Sequence, residues 1–83
     1  LLTVTGGSNI NWRMWSSGGV YYLIAVNREN SASNGVQFTF NGSGSNVSVD
    51  VLFEGRSITA TNKQWTDNFA AYAVHIYEIT PIP

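Results

Sequence analysis

The feature that most restricts this chain is a two-residue hydrophobic period through its middle. Val36, Phe38 and Phe40 alternate with Gln37, Thr39 and Asn41. After Gly42-Ser43-Gly44-Ser45, a turn composition, Val47, Val49, Val51 and Phe53 alternate with Ser48, Asp50 and Leu52. Successive side chains leave a strand on opposite faces, so this spacing builds two strands with one apolar face each and is useless to a helix. An apolar sheet face is stable only against a second layer.

The rest of the chain has the same character. Residues 1–5 form a short β-prone run closed by Gly6-Gly7. Residues 9–15 alternate, with Ile10, Trp12 and Met14 on one face and Asn11, Arg13 and Trp15 on the other. Ser16-Ser17-Gly18-Gly19 signals a turn. Residues 20–26 are apolar at every position, the pattern of a central strand buried on both faces. A polar loop, NRENSASNG, covers residues 27–35. Residues 57–61 read as a short strand and residues 63–66 as one more.

The segment NFAAYAVHIYEI, residues 68–79, fits two templates. As a helix, Asp67 caps it, and Phe69, Tyr72, Ala73, Ile76 and Tyr77 share a stripe. As a strand, Tyr72, Val74 and Ile76 face the core while Ala73, His75 and Tyr77 face away. The strand is preferred because the residues from Val74 onward are β-branched or aromatic and every other segment is β. The expectation is all-β: an antiparallel β-sandwich of about seven or eight short strands, Greek-key or jelly-roll-like. Residues 1–80 form one module, and residues 81–83, with two prolines, form a tail or linker stub unable to continue a ladder.

Composition narrows the partners. A domain of 83 residues buries only about 60–65% of its unfolded surface. It carries four basic and five acidic residues and a net charge of −1. Arg13, Arg28, Arg56 and Lys63 are scattered, so there is no basic stripe for nucleic acid. No apolar run approaches the length of a membrane helix. With no cysteine, disulfides and zinc–thiolate sites are excluded. The polar residues are mostly Asn, Ser, Thr and Gly, a neutral surface in keeping with a secreted bacterial protein. The chain starts at Leu1 and reads as a piece of a longer protein.

Little catalytic chemistry is visible. His75 is the single histidine, and no G-x-S-x-G elbow accompanies it. Of the acids Glu29, Asp50, Glu54, Asp67 and Glu78, only Asp50 and Glu54 share a strand face, and that face is expected to be open and flat, unlike a glycosidase cleft. The expectation is a non-enzyme without cofactor. Calcium has candidate ligands at Asp67-Asn68 and at residues 27–30, and neither stretch has calcium-loop spacing. Two N-x-S matches, at Asn41 and Asn46, are commonplace in so Asn- and Ser-rich a chain.

The tryptophans carry the functional signal. A pyranose has an apolar C–H face that lies flat on an indole, while amides and a guanidinium bond its hydroxyl rim. Trp15 shares a face with Asn11 and Arg13 beside a turn, Trp65 sits between Gln64 and Thr66 at a loop edge, and Trp12 leans toward the core. The hairpin register decides which tyrosine joins Trp15. Closure by a Ser16–Gly19 pair sets Tyr22 opposite Arg13, and a one-residue change brings Tyr21 to that face. The candidate carbohydrate-binding set is Trp15, Trp65, Trp12, Tyr21, Arg13 and Asn11.

Three stretches, YLIAVNR (22–28), VDVLFE (49–54) and FAAYAVHIY (69–77), resemble the β-sandwich at the C-terminal end of many bacterial glycoside hydrolases. The shared patterns are roughly Y-L-I-A-x-N, V-x-V-L-F-E and D-x-F-x-x-Y-x-V-H-x-Y, and the likeness spans about residues 20–79. This chain has Ala71-Tyr72 where the family usually has Pro-Tyr. The resemblance implies that Asp67 and Phe69 form a lock leading into the last strand. It also implies one of two roles. The first is a secreted carbohydrate-binding module, covalently linked to a catalytic domain and binding β-glucan such as cellulose. The second is a structural sandwich docked on the catalytic barrel with no sugar affinity.

Overall fold

The computed structural model describes residues 1–7 and 9–83. Its elements are β1 (Leu2–Thr5), β2 (Ile10–Ser17), β3 (Val20–Asn27), β4 (Ser33–Phe40), β5 (Asn46–Val51), β6 (Arg56–Thr59), β7 (Gln64–Phe69) and β8 (Val74–Ile82), with no helix among the described residues. They make two antiparallel sheets, three strands in the order β1-β4-β7 and five in the order β2-β3-β8-β5-β6. The all-β sandwich expected from the alternation is what the chain forms. Among the described strands only β2–β3 and β5–β6 are successive neighbours within a sheet, and the other successive strands lie in different layers.

The two alternating segments behave as their period demands. Val36, Phe38 and Phe40 on β4 and Val47, Val49 and Val51 on β5 are all buried. Between the layers lies an aromatic stack. Phe38 lies nearly parallel to Trp65, with centroids 5.4 Å apart, and also meets Tyr77 and Phe69. Tyr21 meets Phe40 edge-on at 4.9 Å.

Two glycines fix the β2–β3 register. Gly18 and Gly19 have φ of 60° and 83°, the left-handed pair that a two-residue hairpin turn requires. Ser17 therefore pairs with Val20 and Trp15 with Tyr22. The turn lies one residue further along than a Ser16–Gly19 closure would place it, so Tyr22 meets Trp15 in place of Arg13 and stays on the same face.

Several expectations fail for identifiable reasons. The last segment is a strand, but its phase is opposite to that expected. Tyr77 and Ile79 are fully buried and His75 faces inward, while Val74 is 47% exposed and Tyr72 lies in the preceding turn. The Tyr77 ring fills more of the core than Val74 would, and its hydroxyl finds a partner there. Phe53 does not continue the β5 face. The strand ends at Val51, and Phe53 sits in a turn at φ 65°, 92% exposed. The tail does continue a ladder, with Pro81 opposite Val47 and Ile82 opposite Asn46. The β3 neighbour has its last partner at Ile79, so one side of β8 is free there and tolerates a proline. Finally, β3 is covered on one face only. Leu23, Ala25 and Asn27 are buried, and Tyr22, Ile24 and Val26 are half-exposed.

Candidate functional site

The outer face of the five-stranded sheet carries an exposed aromatic pair. Strand parity places Asn11, Arg13 and Trp15 of β2 there, beside Tyr22, Ile24 and Val26 of β3 and Val74, Ile76 and Glu78 of β8. Trp15 is 49% exposed and stacks on Tyr22, centroids 5.9 Å apart and planes 23° from parallel. Glu78 lies opposite Tyr22 across the ladder, and its hydrogen bond holds the Tyr22 phenol above its ordinary pKa. Arg13 pairs with Ile24 and Asn11 with Val26, and a shallow depression is lined by these four and Trp12. The Asn11 side-chain oxygen accepts a bond from Arg28 at 3.4 Å.

The sequence-derived set is therefore only partly assembled. Trp15, Arg13 and Asn11 share the outer face. Tyr21 is on the inner face against Phe40, and its place on the platform is taken by Tyr22, which the hairpin register alone could have indicated. Trp65 is 2% exposed and belongs to the aromatic core, because β7 turns Trp65, Asp67 and Phe69 inward together. Trp12 has core-facing parity yet is 41% exposed, on the edge strand of the larger sheet.

The polar residues of the resemblance meet in a second cluster, which clasps one side of the sandwich. Asp67 on β7 accepts two bonds from Arg56 of β6, at 2.9 and 3.2 Å, and one from the Tyr77 hydroxyl at 2.7 Å. Arg56 also donates to Glu54 at 2.9 Å. Both ring nitrogens of His75 are engaged, Nδ1 with the Glu54 carboxylate and Nε2 with the Asn68 carbonyl, and the ring lies 4.5 Å from Phe69. Partial burial works to raise the Asp67 carboxyl, but the bonds from Arg56, Tyr77 and the Asn68 amide outweigh it and hold it below the usual carboxylate range. Glu54 is lowered in the same way: desolvation opposes, while His75 and Arg56 prevail. Burial, then Asp67, pushes the Tyr77 phenol well above its ordinary value.

Asn27, fully buried, is the remaining polar position of the likeness. Its amide donates to the carbonyls of Ser31 and Ala70 at 2.8 and 3.0 Å, and its oxygen accepts from the Glu29 amide at 3.1 Å. One side chain thus ties two loops together. These polar side chains act in closing the sandwich.

These commitments also engage three of the calcium candidates. Asp67 is bound by Arg56 and Tyr77, the Asn27 side chain is bonded internally, and Glu29 accepts a bond from Asn9. Among the described residues no group of three or more His, Cys, Asp or Glu is arranged to hold a metal ion. No family model, no curated protein and no solved structure matches this chain.

Proposed function

We propose that this chain is a non-catalytic carbohydrate-binding module of a secreted bacterial plant-polysaccharide hydrolase, holding a β-glucan chain of the cellulose type on its outer sheet face. The observation that carries the reading is the Trp15–Tyr22 pair, two stacked rings on the outer sheet face, Trp15 half open to solvent and Tyr22 partly so, with Arg13 and Asn11 beside them. The rings supply a surface for sugar C–H faces, and the guanidinium and amide supply donors for hydroxyl groups. The neutral composition fits an uncharged ligand. The non-catalytic part of the reading is supported by the clasp, where His75, Glu54 and Asp67 are spent on one another and on Arg56 and Tyr77. Its role would be to keep a linked catalytic domain near insoluble substrate, an effective-concentration effect.

With one indole and one phenol on the platform, stacking adds about 0.5–1.5 kcal/mol per ring beyond area burial, by analogy with aromatic pairs. The affinity is then on the order of 0.1–1 mM. Binding is expected to be nearly independent of salt, since no charge pairing drives it. Trp15→Ala should abolish retention on cellulose while the thermal midpoint stays almost unchanged. Intact binding in that variant would sink the platform.

One observation favours the second reading, a sandwich docked on its catalytic barrel. Ile24, Val26, Val74 and Ile76 form an aliphatic strip across the middle of the same face. Branched aliphatics offer a sugar little and a protein surface much. If the isolated domain ignores a panel of soluble and insoluble glucans, the docking role takes precedence.

A further inference from the structure

The four sheet edges are unequally defended. β1 and β6 are four residues each, too short to template much. β7 has six residues, points Asp67 inward into the clasp and pairs with β4 through a register shift between Ser33 and Val36. Short strands, inward charges and bulges are the usual means of blunting an edge. β2 has none of them. It runs eight residues in unbroken register with β3, contains no proline, and its single charge is Arg13 on the outer face.

Trp12 and Trp15 lie on opposite faces of this edge strand, 41% and 49% exposed. No ligand resting on one face covers both. A strand laid along the free edge flanks both at once, because its side chains alternate across the same two faces. We propose that a second copy of this chain supplies that strand. The two β2 strands pair antiparallel about a two-fold axis and join the five-stranded sheets of both copies into one.

The register follows from parity and charge. Inner faces must remain on one side, so the two-fold passes through a residue and not between two. Centring on Arg13 would set two guanidinium groups directly opposite, which like charges disfavour. Centring on Met14 instead sets Arg13 opposite Trp15 of the partner subunit, twice by symmetry, a cation against an indole face. Met14 then meets Met14 of the partner subunit, and Trp12 meets Ser16 of the partner subunit. The copies bring their Trp15–Tyr22 pairs onto one continuous outer face. The pairing itself does not depend on what that face binds.

Sedimentation equilibrium of the 83-residue chain, from micromolar to millimolar concentration, is the test. The mass should rise from 9.1 kDa toward twice that value. Hydrogen exchange should slow with concentration at alternate amides of residues 11–17. Trp12→Lys, which puts an inward-pointing charge at a partly exposed edge position, should abolish the association while the far-ultraviolet β-signal is kept. Arg13→Glu, wholly on the surface, should weaken it and guards against misfolding of the first variant. A single-chain mass throughout the range overturns the proposal. So does a dimer that survives both substitutions, or one that forms without protecting the β2 amides.

Discussion

Replacing Tyr77 by Phe removes one oxygen atom from the core and tests the clasp. The Tyr77 ring is fully buried, and its hydroxyl donates to Asp67 at 2.7 Å. The phenylalanine ring keeps the contacts with Phe38 and Trp65, so the loss is one hydrogen bond to a charged acceptor, about 1.5–3 kcal/mol. In a domain of this size that lowers the thermal midpoint by roughly 4–8 °C per kcal/mol. The effect depends on pH with a definite sign. Asp67 has a folded-state pKa below its unfolded one, so its contribution is fully present above the unfolded value and is lost as pH falls through the folded value. The Tyr77 bond is one of the causes of that depression. The wild-type advantage over Tyr77→Phe should therefore be largest near neutrality. It should shrink to that of an ordinary neutral bond, about 1 kcal/mol or less, once Asp67 is protonated in both proteins. Urea unfolding at pH 7 and in strong acid measures both numbers. A difference equal at the two pH values, or under about 0.5 kcal/mol at neutrality, would refute the assignment of Asp67 as the charged centre.

Other substitutions separate core from surface. Trp65→Ala should cost about 3–5 kcal/mol in chemical denaturation, where the exposed Trp15→Ala costs little. Asn27→Ala should cost about 2–3 kcal/mol, since two loop carbonyls and one amide lose their partner. Its effect should show first as faster amide exchange at Glu29. Gly42→Ala places a Cβ 2.4 Å from the Phe40 ring, and the displaced ring should lower the denaturation midpoint by the equivalent of about 1–3 kcal/mol. Phe53→Gly should raise stability by about 1 kcal/mol, because a non-glycine residue at φ 65° is strained and this side chain buries almost nothing in return.

The layers of the sandwich were legible because Val36 to Phe40 and Val47 to Val51 leave no other way to bury one face per strand. The phase of the final strand was not, since residues 72–79 put bulky apolar side chains on both faces, with one polar residue on each (His75 and Glu78), and alternation alone chooses neither. The choice rests on a long-range partner, Asp67, which sits next to Tyr77 only after the sheets have closed. The same limit applies to the tryptophans. Trp65 between two polar residues is as good a pattern for an inward position as for a rim position, and β7 pairing with β4 decides it. Tyr21 and Tyr22 differ by one place in the chain and one face in the sheet, and the positive φ of Gly18 and Gly19 settles which is which. The clasp was half visible, in that the resemblance marked Asp67 and Phe69 as a lock. Arg56, which makes the bidentate contact, gave no local signal.

The clasp joins β6 to β7, the outermost strands of opposite layers, and behind it lie Trp65, Phe69 and Tyr77. In acid the seam would part on that flank first, as a book opens away from its spine, while the β2–β3 side stays shut. Two unpaired strand margins and a wall of aromatic rings would then face solvent together. Loss of this protein in acid should therefore proceed through clumping of half-opened molecules before the chain as a whole has unravelled.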